Sequence, residues 1–199
     1  MDPLQQSKIF IVSGLPRSGT SLMMKILEVG GIPVVMDNVR KPDPDNPKGY
    51  YEYESVKKIK EDASWLRNTR GKAIKIISML LPELPACEFY KIIFMERNID
   101  EILRSQQKML KRKNIELDTD NSKMAELFNR HLQIIHRWLK KQTNIDVLIV
   151  NYNRLISLPD IEIDRIIDFL SIPLDKAKMQ TVIDPELYRN RAESLSFSQ

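Results

Sequence analysis

The sequence predicts a three-layer α/β/α domain built on a central, largely parallel sheet. Three observations carry this. Short apolar runs alternate with longer segments of helical period, the pattern of repeated strand–helix–strand units. The run at 90–95 has an almost continuous apolar centre, so both faces of its strand need cover. The first apolar run, Ile9-Phe10-Ile11-Val12, passes through a glycine-bracketed loop straight into a helical pattern, as at the first strand–helix junction of such sheets.

Taken in order, residues 8–13 read as a buried strand and 18–30 as a helix closed by Gly30-Gly31. A short strand is expected at 32–35. Residues 37–49 hold three prolines among acids and amides and read as a long loop. Over 52–66, Val56, Ile59, Ala63 and Leu66 share one helical face with a charged back, so a helix is expected there. Strands are expected at 73–78 and 90–95. The segment 98–111 reads as a helix, with Asp100 and Glu101 in its first turn and bases in its last, as the helix dipole prefers. A longer helix is expected at 122–142, a strand at 146–150 and a helix at 159–170. Frayed ends are expected at 1–7 and 192–199, and the whole of 1–199 as a single domain.

Composition narrows the function classes. With 199 residues and 42% hydrophobic content the chain can bury one good core. No apolar run approaches the ~20 residues of a membrane span, and the N-terminus does not read as a signal peptide. The one cysteine, Cys87, excludes an intrachain disulfide. A reducing, cytoplasmic setting is therefore expected. The net charge of +4 suits an anionic small molecule and does not call for nucleic acid. The basic run from Lys108 to Lys113 reads as a solvated helix end. His131 and His136 are five apart on one helix, not at zinc spacing, and no metal is expected. His131 reads as a core-edge residue and His136 as exposed.

Two motifs carry chemistry. Gly14-Leu15-Pro16-Arg17-Ser18-Gly19-Thr20-Ser21 has the glycine spacing of a P-loop, which wraps backbone N–H groups around a phosphate at a helix N-terminus. Thr20 stands where a nucleotide triphosphatase carries lysine. The second motif follows the strand at 90–95: Arg97, with Ser105 two helical turns on. A guanidinium and a hydroxyl aimed at one place make a second anion clamp. The pair of motifs implies a ligand with two anionic groups.

Together these motifs resemble the sulfotransferases that use 3′-phosphoadenosine 5′-phosphosulfate. The Pro16-Arg17-Ser18-Gly19-Thr20 form is similar to the branch of tyrosylprotein and carbohydrate sulfotransferases. A third match runs from Tyr152 through Leu158-Pro159 to Phe169-Leu170-Ser171-Ile172-Pro173. The resemblance implies that Pro16, Arg17, Ser18, Gly19, Thr20 and Ser21 hold the 5′-phosphosulfate. It implies that Arg97 and Ser105 hold the 3′-phosphate and that Tyr152 lies near the adenine. It further implies sulfuryl transfer to a hydroxyl or amine of a small-molecule or carbohydrate-like acceptor, without a metal.

The chain departs from the family at the proton acceptor. Cytosolic members have Lys-x-His after the second long strand; here Lys75 is present and Ile77 replaces the histidine. Lys75 and Arg17 are expected at the leaving group. Asp37, with Asn38 and Arg40 behind it, is the expected base; a turn-forming aspartate is the alternative, and Glu52 and Glu54 come next. Tyr50, Tyr51 and Tyr53 line an acceptor pocket or pack a helix end. Arg189 and Arg191 are candidate substitutes for a missing 3′-phosphate element. Two rival readings are a P-loop small-molecule kinase and a non-catalytic nucleotide-binding protein.

Overall fold

In the computed structural model the described residues are 7–37, 39, 43, 49–112, 114–115 and 120–183. Five strands form one sheet in the order β2-β3-β1-β4-β5. They are β1 (Lys8–Gly14), β2 (Val34–Val35), β3 (Ala73–Lys75), β4 (Phe89–Glu96) and β5 (Ile145–Asn151). Every neighbouring pair is parallel. The helices are α1 (Thr20–Gly30), α2 (Ile99–Arg112), α3 (Asn121–Leu139), α4 (Tyr152–Ser157), α5 (Pro159–Leu170) and α6 (Lys176–Thr181). The expected fold class is the observed one.

The three layers follow from the strand period. Successive side chains point to opposite faces, and β1 divides accordingly. Phe10 and Val12 enter one core with α1, α5 and α6 residues such as Met23, Leu27, Ile163 and Met179. Ile9 and Ile11 enter the other core with Leu66, Leu81, Ile135 and Leu139. β4 divides likewise: Ile93 and Met95 face the first core, Ile92 and Phe94 the second. This double burial explains why the central strands read as unbroken apolar runs.

The segment 52–66 differs from expectation. It forms two 3₁₀ segments, Glu54–Lys58 and Ser64–Thr69, not one α-helix. Asp62 is the physical reason. Its side chain accepts the Ser64 N–H at 2.8 Å, an Asx turn that offers the backbone an alternative to helix continuation. Asp37 Oδ2 accepts the Glu54 N–H at 2.5 Å and starts the first segment. The apolar face was nevertheless legible, because Val56, Ile59 and Leu66 are buried in the second core. The helices α4 and α6 were not anticipated. Each is a short segment opened by a side-chain cap, Asn151 for α4 and Asp175 for α6. Residues 1–6 and 184–199 lie outside the described residues, and with them the expected frayed ends at 1–7 and 192–199 apart from Ser7.

His136 also departs from expectation. It is half-buried, edge-on to Phe94 with ring centroids 5.2 Å apart, and its Nε2 lies 3.1 Å from Glu96 Oε1. His131 sits at the core edge as expected, its Nε2 2.9 Å from the buried Ser78 hydroxyl. Burial holds the His131 pKa below its ordinary value.

Leu27 is fully buried against the sheet, whereas Leu127 is 56% exposed. Leu27→Ala is expected to cost about 2–5 kcal/mol, and Leu127→Ala less than about 0.5 kcal/mol. Denaturant midpoints at unchanged slope measure both; equal costs would contradict this assignment of the core.

Candidate functional site

The site is built where β1 and β4 end side by side. Their pairing runs through Ser13↔Phe94 and Gly14↔Met95, so the loop after β1 emerges next to the residues after β4. This is the carboxyl edge of a parallel sheet, beside the strand where the order reverses, where such folds bind ligands.

The loop has the backbone of an anion cradle. Gly14 has φ 145, Arg17 φ 72 and Gly19 φ 101, all on the positive-φ side that L side chains rarely adopt. At Gly14 a Cβ would stand 2.5 Å from the Met95 carbonyl oxygen. At Gly19 it would stand 2.4 Å from Tyr152 Cδ2. Both glycines are therefore required by close approach. The Gly19 carbonyl accepts the Met23 N–H at 3.1 Å and begins α1. The helix N-terminus is aimed at the loop, with no side-chain cap on it.

The two expected clamps form one continuous surface. Arg17 Nε donates to Ser105 Oγ at 3.0 Å, and Arg97 Nη1 donates to the Arg17 carbonyl at 3.4 Å. The Arg97 guanidinium lies over the Tyr152 ring, 4.3 Å from its centroid. Tyr152 thus floors the site beneath Arg97 and Gly19. Its phenol pKa is raised, first by burial, so it stays neutral. Pro16 is exposed at the loop's crest and Ser18 is buried within it, its hydroxyl without a hydrogen-bond partner.

Sequence reasoning missed two members of this group. Glu101 is fully buried; its Oε2 accepts from Arg97 Nε at 2.8 Å and its Oε1 from Asn153 Nδ2 at 3.2 Å. Glu101 and Ser105 lie four residues apart in α2, and Arg97 precedes the helix four residues before Glu101; that repeated four-residue step was the available signal. A dipole explanation for Glu101 had concealed it.

A second group lies on the β3 side. Lys75, 9% exposed, reaches the Tyr50 carbonyl and stands 3.5 Å from Ser21 Oγ. Ser21 Oγ donates to the same carbonyl at 3.3 Å. The Glu52 carboxylate is 3.9 Å from Lys75 Nζ. The segment 49–53 is held down by Tyr51, whose hydroxyl donates to Glu28 at 2.7 Å. Thr20, the first residue of α1, is half-exposed at the loop's end.

Both carboxylate oxygens of Asp37, the expected base, are engaged by backbone N–H groups. Its Oδ1 accepts the Val39 N–H at 3.1 Å and its Oδ2 the Glu54 N–H at 2.5 Å. These backbone bonds, that from Glu54 first, hold its pKa below the ordinary carboxylate value. A general base near neutral pH needs the opposite shift. The turn-forming alternative describes what this aspartate does. Its expected companions Asn38 and Arg40, and the candidates Arg189 and Arg191, lie outside the described residues.

A family model described as "Sulfotransferase domain" matches residues 7–193. The chain therefore belongs to the sulfotransferase domain family. The fold resembles a mouse sulfotransferase (SULT7A1) complexed with PAP, at TM-score 0.55 and 18% identity, covering 88% of this chain and 62% of that one. It also resembles the sulfotransferase domain from the curacin biosynthetic pathway, at TM-score 0.51 and 13% identity, covering 89% of this chain and 78% of that one. A third likeness is to retinol dehydratase in complex with androsterone and inactive cofactor PAP, at TM-score 0.50 and 16% identity, covering 94% and 65%. This chain thus spans under two thirds of the first and third of these. No curated protein sequence matches it. Among the described residues no group of His, Cys, Asp and Glu is placed to hold a metal, and no helix is long and apolar enough to cross a membrane.

Gly19→Ala is expected to strain the left-handed backbone by about 1–3 kcal/mol and to displace Tyr152. Affinity for adenosine 3′,5′-bisphosphate should fall, measured by calorimetry. Wild-type affinity in a folded Gly19→Ala protein would show that the close approach is unimportant.

Proposed function

We propose that this chain transfers a sulfuryl group from 3′-phosphoadenosine 5′-phosphosulfate to a hydroxyl or amine of a small-molecule or carbohydrate-like acceptor. One observation carries the reading. Two guanidiniums, Arg17 and Arg97, and the Ser105 hydroxyl converge at the sheet's carboxyl edge on a loop that opens a helix. That donor set fits a nucleotide with phosphate groups at both ends of its ribose. Membership in the sulfotransferase family supports it, as does the PAP present in two of the similar structures.

When bound, the donor supplies a sulfuryl group on a phosphosulfate bridge, and transfer leaves negative charge on the 5′-phosphate. The residues 16–21, with the α1 N-terminus behind them, hold that end and offset the growing charge. Arg17 and Lys75 add fixed positive charge beside it. The lysine is held in place by the Tyr50 carbonyl and by Ser21. Arg97 and Ser105 hold the 3′-phosphate, and Tyr152 supports the nucleoside from below.

Glu52 takes the acceptor proton in this reading. It is the carboxylate that approaches Lys75, at 3.9 Å, so it stands beside the charge that marks the reacting centre. Asp37 instead shapes the turn that leads into 49–54. The chain's lone thiol, the exposed Cys87, suits a cytoplasmic setting.

Calorimetry should show tight binding of adenosine 3′,5′-bisphosphate and weak binding of ATP–magnesium; the reverse order would establish the kinase reading. Arg97→Ala with Ser105→Ala should weaken the 3′-phosphorylated nucleotide by about 100-fold or more, at about 1.5–3 kcal/mol per charge-assisted bond. Adenosine 5′-phosphate should be little affected. Glu52→Gln should lower turnover of labelled donor by about 10²–10⁴-fold with donor affinity unchanged; undiminished turnover removes Glu52 from the role. Tight donor binding with no transfer to any acceptor would leave the chain a non-catalytic binder.

A further inference from the structure

We propose that Glu101 is the positioning residue of the 3′-phosphate clamp, and that preference for a 3′-phosphorylated nucleotide depends on it. The inference rests on the donor reading above and adds a residue to it. Glu101 carries a negative charge beside the place where an anion would bind, fully buried and 2.8 Å from Arg97 Nε. By charge alone this is unfavourable, since it cancels one of the two positive charges in the clamp. A carboxylate kept at such a place has a geometric use.

That use is legible in its bonds. Asn98 Oδ1 accepts the N–H groups of Asp100 at 2.8 Å and Glu101 at 3.3 Å, fixing the first turn of α2. Glu101 then holds Arg97 by Nε, the inner edge of the guanidinium. Its other oxygen holds Asn153, in the first turn of α4. Asn151 fixes that turn by accepting from Asn153 N at 3.0 Å and Arg154 N at 3.1 Å. One carboxylate therefore joins the end of β4 to the end of β5. The join sets the Arg97 plane over Tyr152, the residue between Asn151 and Asn153. Tyr152 in turn packs on Gly19 of the first loop. Without Glu101 the guanidinium loses the contact that fixes its rotation, and a buried cation loses its counter-charge.

Charge and geometry predict opposite signs. If Glu101 acted only through its field, removing it would tighten every anionic nucleotide. If it positions Arg97, removing it weakens the 3′-phosphorylated nucleotide and spares adenosine 5′-phosphate. The quantity read is the ratio of the two dissociation constants, by calorimetry on the full chain.

Glu101→Ala should reduce that preference by about tenfold or more, the loss of a charge-assisted bond. Glu101→Gln keeps the shape but has a single accepting oxygen, and should reduce it by about threefold. The glutamine variant decides the matter if the alanine variant does not fold. A preference equal to or above wild type in either folded variant overturns the proposal. Arg97→Ala run alongside separates the two readings. If wild type has the preference and Arg97→Ala lacks it while Glu101→Ala keeps it, the donor reading stands and the role of Glu101 falls. If wild type has no preference, both fall.

Discussion

The parallel pairing of β1 with β4 is the constraint on which the rest of the molecule depends. Register from Lys8↔Phe89 to Gly14↔Met95 ends both strands at one level. Two strand–helix junctions separated by more than seventy residues of chain thereby open side by side. The glycine at that point is obligatory, because any side chain on Gly14 would enter the Met95 backbone. Arg17 and Arg97 meet because of this register. A slip of one residue would move every β1 side chain to the wrong face and carry the loop away from its partner.

Burial of charge is managed locally wherever the fold demands it. Lys91 points into the first layer and caps α5, donating to the carbonyls of Phe169 at 2.5 Å and Leu170 at 3.2 Å. Burial, chiefly, lowers its pKa, while the helix C-terminus supplies compensating negative charge. Glu162 is fully buried between Arg154 and Arg165, each 2.5 Å away. The first of these holds α5 to β4, and the second joins α4 to α5. The Arg97–Glu101 pair follows the same rule, but at the sheet edge where an anion would arrive. In the proposed reading the same physical device there serves recognition.

The two sides of the site differ in how they are fixed. On the β4 side, side chains lock one another through Arg97, Glu101, Asn153 and Tyr152. On the β3 side a single backbone carbonyl, that of Tyr50, gathers Lys75 and Ser21. That carbonyl lies in a segment with Gly49 at φ 89 and Tyr51 at φ 52. Holding Tyr51 there requires outside contacts; its hydroxyl bond to Glu28 on α1 supplies one. The β3 side therefore depends on the strap 49–53 lying over the first helix, and Glu52 is carried with it.

The layered fold, the glycine loop after β1 and the placing of Arg97 and Ser105 near that loop were legible in the sequence. Each is encoded by residues close together in the chain: apolar runs of strand length, glycines at a fixed spacing, and an eight-residue step from a strand end into a helix. The burial of Val56, Ile59 and Leu66 was legible too, though not the 3₁₀ backbone that achieves it, because the Asx turn at Asp62 competes with a helical pattern that was itself correct. What tertiary structure decided was every pairing across chain-distant elements. Asp37 and Glu52 are both acids in one polar segment, and the sequence reading puts Asp37 first. Backbone N–H groups from folded neighbours satisfy the first, and the approach to Lys75 distinguishes the second. Glu101 read as an ordinary first-turn acid until Asn153, fifty-two residues on, was brought against it. Local pattern specifies which segments bury an apolar face; only the packed sheet specifies which charges meet, because electrostatic partnership depends on distance through space and not on separation along the chain.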